Sequence, residues 1–133
     1  MNNEQGNRLN IFLLEEDDDT RHVLKQNLRA YGYHVIIALD EEDALERVGD
    51  RQVHADLVLV NLVGKSTEDA LNVGRRIREH AKFDGHTPLV IMAEKYGPDV
   101  EGTNANVGGN DWIIYLGEEA DQLKNLLNRL TSK

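Results

Sequence analysis

Apolar residues fall along this chain in two rhythms. Short apolar runs occur at Ile11-Phe12-Leu13-Leu14, Val35-Ile36-Ile37-Ala38, Leu57-Val58-Leu59-Val60, Leu89-Val90-Ile91-Met92-Ala93 and Trp112-Ile113-Ile114-Tyr115-Leu116. Each is strand-length and bounded by polar or turn residues, so each predicts a buried strand. Between them the spacing is helical. Leu24, Leu28 and Tyr31 follow Thr20, and Gly32 ends that segment. Ala44, Leu45 and Val48 follow a good N-cap in Asp40 and close near Gly49. Ala70, Val73, Gly74, Ile77 and Ala81 mark a third helix, followed by a turn at Asp84-Gly85-His86. Leu123, Leu126, Leu127 and Leu130 give the clearest amphipathic stripe.

The run Asp56-Leu57-Val58-Leu59-Val60-Asn61-Leu62 is near-continuously apolar, as suits a central parallel strand buried on both faces. Pro88 stands at the entry of the fourth strand, where proline is tolerated. The stretch from Tyr96 to Gly109 holds glycines, a proline and asparagines but few apolar anchors. It predicts a short or irregular fourth helix. Five strands alternating with five helical segments give an α/β doubly wound five-stranded parallel sheet with helices on both faces. The expected strand order is 2-1-3-4-5, with a switch point between strands one and three. Residues 1–8 read as a loose tail and 9–131 as a single domain.

Composition narrows the function. With 24 acidic and 15 basic residues the formal net charge is −9, which argues against binding a nucleic-acid backbone. Arg75, Arg76 and Arg78 cluster, and read as a solvated helix face. There is no cysteine, hence no disulfide, thiolate nucleophile or cysteine–zinc site. No signal peptide is visible at the start, and no apolar run reaches membrane-spanning length. The expectation is a soluble, cytoplasmic protein without a membrane partner. The five histidines show no metal-ligand spacing. No phosphate loop, hydrolase elbow or His-Glu metal motif appears.

The polar side chains at strand ends carry the rest. In open parallel sheets, ligand sites lie beyond the carboxyl ends of the strands. Glu15 and Glu16 end the first strand and Asn61 the third, so they are expected to meet at the switch point. The ordered features are Leu14-Glu15-Glu16-Asp17 with Arg21, the run 55–62, Arg75-Arg76-Ile77-Arg78, Pro88, and Gly108-Gly109-Asn110-Asp111-Trp112. In that order and spacing, over residues 9–131, they resemble the flavodoxin-like receiver domain of response regulators in two-component phosphorelay signal transduction.

The resemblance implies roles position by position. Glu15 and Glu16 match an acidic pair that holds Mg²⁺. Asn61 stands at the phosphoacceptor aspartate, Ala93 at a Ser or Thr, and Tyr115 at a Lys, with Leu116 where Pro usually follows. Trp112 matches a switching aromatic. An amide cannot attack a phosphoryl group to give an acyl phosphate. A methyl group cannot donate to a phosphoryl oxygen. A phenol is neutral at pH 7 and supplies no cation. The expectation is a pseudo-receiver: no enzyme, not phosphorylated, acting without an output domain by binding a signalling partner, either a histidine kinase or an output protein. A homodimer is compatible with it. The implied docking face is the fourth helix, fifth strand and fifth helix around Trp112, which reads either as an interaction anchor or as a packed strand residue. Asn61 is expected to bond Tyr115 or backbone, or, through its carbonyl, to join Glu16 in weak Mg²⁺ binding. Two other readings stand beside this one: phosphorylation at Asp56 or an acid in 15–19, and a small-ligand pocket lined by Glu16, Asn61 and Tyr115.

Overall fold

The computed structural model describes residues 8–49, 53–81 and 87–132. The tail up to residue 7 and the turn at 84–86 lie outside them. Among the described residues, β1 (Asn10–Glu15), α1 (Asp18–Ala30), β2 (His34–Ala38), α2 (Glu41–Gly49) and β3 (Leu57–Asn61) come first. Then follow α3 (Thr67–His80), β4 (Leu89–Met92), β5 (Asn104–Gly108), β6 (Asp111–Ile114) and α4 (Gln122–Thr131). The strands form one sheet in the order β2-β1-β3-β4-β6-β5. Every pairing is parallel except that of β5 with β6.

Period-two alternation divides the central strands between two cores. Phe12, Leu14, Val58, Val60 and Ile91 face α2 and α3, with Ala44, Val48, Val73 and Ile77. Ile11, Leu13, Leu57, Leu59 and Val90 face α1 and α4, with Leu24, Leu28, Leu126 and Leu127. Burial on both faces is why β1 and β3 read as unbroken apolar runs. α3 sits close on the sheet because Gly74 has no side chain: a Cβ there would lie 2.5 Å from Leu89 Cδ1.

Local chemistry sets the helix ends. The Asp17 carboxylate accepts from Thr20 N at 2.8 Å and caps α1, and Ser66 caps α3 through Asp69 N. At the C-terminus of α1, Gly32 N–H donates to Arg29 O and Tyr33 N–H to Leu28 O. This pairing needs a left-handed residue, and Gly32 has φ 103°.

The doubly wound fold is as expected, but the segment after β4 is not. In place of a fourth helix stands an antiparallel strand, β5, so there are six strands and four helices among the described residues. The physical reason lies in the same glycines that spoil a helix. Gly102, Gly108 and Gly109 have φ of 85°, 130° and 51°, and the last two form the turn into β6. Asn106 Nδ2 donates across that turn to Gly109 O at 3.0 Å. Beyond the hairpin, Gly102 N–H donates to Tyr115 O at 2.7 Å and Tyr115 N–H to Thr103 O at 2.9 Å.

Candidate functional site

The carboxyl ends of β1, β3, β4 and β6 lie at the same end of the sheet. Glu15 closes β1 and Asn61 closes β3, and the two are register partners. Ala93 follows β4 and Tyr115 follows β6, on adjoining strands. The Glu15 side chain is fully buried. Its Oε1 accepts from Asn61 Nδ2 at 2.5 Å and its Oε2 from Asp17 N–H at 3.1 Å. An ionised carboxylate only accepts, so the amide of Asn61 turns its NH₂ to Glu15 and its carbonyl away. Burial pushes the Glu15 carboxyl above its ordinary value, against the pull of these two donors.

Ala93 and Tyr115 do not join that pair. Both pack against the core on the α2/α3 side. Tyr115 meets Tyr96 edge to face, ring centroids 5.5 Å apart, and the Tyr96 hydroxyl donates to Leu116 O at 2.5 Å. Among the described residues no hydrogen bond links the Asn61 side chain to Tyr115 or to backbone. The expected Asn61–Tyr115 contact is replaced by the one to Glu15.

The remaining acids do helix work. Glu16 is exposed. Asp17 is the cap, and its bonds to Thr20 hold its carboxyl below the ordinary value. Asp18 pairs with Arg21, whose guanidinium also donates to Glu15 O at 2.9 Å. Asp56 lies at the opposite end of β3, about 16 Å along the strand from Asn61. Its Oδ2 accepts from Asn10 N–H at 2.7 Å.

The arginine cluster is not an open basic patch. Arg75 and Arg78 reach the buried Asp111 at 2.8 and 2.7 Å, and Arg76 pairs with Glu41 at 2.7 Å. Burial opposes ionisation of Asp111, but Arg78 and Arg75 outweigh it and hold its carboxyl low. Sequence reading missed this acid. An aspartate directly after a Gly-Gly-Asn turn and before an apolar run, with arginines elsewhere to meet it, was the available signal. It also missed Gln122, buried at the start of α4. Gln122 accepts from Gly117 N–H and donates to Thr103 O, Asn104 Oδ1 and Tyr115 O.

Trp112 is half-buried, with the Arg129 guanidinium 5.1 Å from its ring centroid. Its indole N–H is buried without a hydrogen-bond partner among the described residues. A cleft of about 380 Å³ opens nearby the strand ends, lined by Gly64, Lys65, Ser66, Thr67, Glu94 and Lys95. Glu16, Asn61 and Tyr115 do not line it.

Mg²⁺ takes hard oxygen ligands in a near-octahedral shell. Glu15 is buried with an N–H on each carboxylate oxygen, and Asp17 and Asp18 are engaged by Thr20 N–H and Arg21, so the donors on offer beside Asn61 are its own amide oxygen and the exposed Glu16. Among the described residues no three His, Asp or Glu side chains gather to hold a metal. This donor set does not fit the ion. No described helix is long and apolar enough to cross a membrane.

No protein-family model matches the chain. Over 103 residues, 77% of the chain, it is 27% identical to YkoG of Bacillus subtilis, an uncharacterized transcriptional regulatory protein; the match is 42% of that protein, so the chain spans under half the length of this curated relative. Among solved structures it resembles a response regulator receiver protein from Sinorhizobium medicae, at 18% identity and TM-score 0.70, covering 94% of this chain and 95% of that one. The fold is that of a receiver domain. A second receiver, from the sensor histidine kinase PA1611 of Pseudomonas aeruginosa, matches at 20% identity and TM-score 0.65 over 95% of this chain and 99% of its own, and was solved with magnesium in its active-site cleft. A third, the response regulator TrrA of Thermotoga maritima, matches at 20% identity and TM-score 0.66 over 93% and 99%, and was solved in complex with the histidine kinase ThkA.

Proposed function

We propose that the chain is a receiver-like signalling module that is not phosphorylated at the end of β3 and works by binding a partner protein. One observation carries the reading. The residue at the carboxyl end of the central strand is Asn61, and its amide is spent on Glu15. A nucleophilic oxygen is missing where an acyl phosphate would form. Ala93 and Tyr115, turned to the other core, offer nothing to a phosphoryl group. Asp56 is an unsuitable substitute, since it lies at the far end of the strand. In this reading the module catalyses nothing.

The partner class is a histidine kinase or an output protein, supported by the TrrA–ThkA complex. The docking face is the β5–β6 hairpin with α4, because no helix separates β4 from β5. Trp112 is a packed residue of that face, not a free anchor. The experiment is incubation with Mg²⁺ and acetyl phosphate, followed by intact-mass measurement. The unmodified mass is expected; a labile adduct of one phosphoryl group overturns the reading.

A further inference from the structure

We infer that the Asn61 amide is the built-in counter-group of the buried Glu15 carboxylate, in the place a proton or a divalent cation would fill between two acids, so that this end of the sheet is complete without metal. The inference rests on the reading that Asn61 has displaced an acid. Glu15 is fully buried and its two oxygens are met by N–H groups alone, Asn61 Nδ2 at 2.5 Å and Asp17 N at 3.1 Å. The nearest guanidinium, Arg21, donates to the Glu15 backbone oxygen and to Asp18, not to the carboxylate. The hydrogen bonds to the carboxylate therefore come from neutral donors, with Arg21 acting on it only through space. Buried polar groups are stable only when so satisfied.

While Glu15 remains a carboxylate, an acid at 61 removes its donor and brings a second charge beside it. Glu15 and Asn61 are register partners on adjoining parallel strands, so the sheet holds their Cα atoms side by side and their side chains at the same end of it. A carboxylate at 61 would set oxygen against oxygen at hydrogen-bond distance. Two carboxylates that close cannot both ionise unless a proton or a cation stands between them. NH₂ against O⁻ at residue 61 thus decides whether this end of the sheet needs a proton or a cation between the two side chains. The chain as it stands has its strand ends fixed by folding and is indifferent to divalent supply.

The test compares thermal unfolding in EDTA and in millimolar MgCl₂ for the wild type, Asn61→Asp, and the swapped pair Glu15→Gln/Asn61→Asp. The wild-type midpoint is expected to be the same in both buffers. Asn61→Asp is expected to unfold about 5 °C or more lower in EDTA and to recover with Mg²⁺ but not with KCl of equal ionic strength. The swapped pair puts the amide on β1 and the acid on β3, and is expected to restore both stability and indifference to Mg²⁺. Should Asn61→Asp fail to fold in EDTA, the swapped pair still decides, since its recovery requires that one amide and one acid suffice. A Mg²⁺-dependent wild-type midpoint, an Asn61→Asp variant as stable as wild type in EDTA, or a swapped pair that still needs Mg²⁺ would overturn the inference. No phosphoryl donor is present, so the outcome is independent of whether the protein can be phosphorylated.

Discussion

Asn61 and Glu15 face each other across the β1–β3 register, amide to buried carboxylate, at 2.5 Å. This pair occupies the place in the sheet where strand-end chemistry is expected. It gives the buried Glu15 carboxylate one of its two N–H donors and points the Asn61 NH₂ at Glu15.

Replacing Asn61 by Leu removes one of the two donors to Glu15. A buried acceptor that loses a partner costs about 1–3 kcal/mol. Burial already lifts the folded-state Glu15 pKa above 4.5, so its contribution to stability is full below the unfolded value and is lost as pH rises through the folded one. Losing a donor raises that folded value further. The deficit of Asn61→Leu against wild type is therefore largest near neutral pH and shrinks as pH falls toward 4.5. Urea denaturation of both proteins across that range measures it.

Asp111 behaves with the opposite sign. Arg78 and Arg75 outweigh burial and depress its pKa below 3.8. Its contribution is present above that value and is lost as pH falls through the folded pKa. Asp111→Asn leaves Arg78, itself largely buried, without its carboxylate. The cost is about 3 kcal/mol at neutral pH, at the low end for breaking a buried pair because Arg75 is partly solvated. The difference between variant and wild type should narrow in acid. Chemical denaturation at pH 7 and in acid checks both statements.

Gln122→Leu tests what holds the hairpin. The amide bonds Gly117 N, Thr103 O, Asn104 Oδ1 and Tyr115 O, and leucine satisfies none of them. At about 1 kcal/mol net per bond the loss is about 2–4 kcal/mol. It should be local first: hydrogen exchange at Gly102 and Tyr115, whose N–H groups close the ladder beyond β5, should speed up before exchange in β1 or β3.

The central strands and the helix stripes were legible because burial on both faces writes an unbroken apolar run, and burial on one face writes a 3.6 period. Asn61 and Glu15 were legible as strand-end polar residues, although their direct bond was not, since an amide so placed has several acceptors within reach. The segment 96–109 has poor helix propensity, but Val107-Gly108-Gly109-Asn110 ahead of Asp111-Trp112-Ile113 is also a hairpin turn between two strands, and the strand forms where a short or irregular helix is expected. Asn104, Ala105 and Asn106 have little strand propensity of their own. Their conformation is imposed by the ladder to β6 and by Gln122. Likewise the pairing of Arg75 and Arg78 with Asp111 joins residues more than thirty apart, and only the fold brings them together.

The most direct measurement of the central claim is a ¹H–¹⁵N NMR titration of the wild-type protein with Mg²⁺ and beryllofluoride, which mimics an aspartyl phosphate. The account predicts that the Asn61 side-chain NH₂ and the amides of β3, β4 and β6 stay where they are. Saturable shifts that centre on Asn61 and spread to Ala93 and Tyr115 would contradict it.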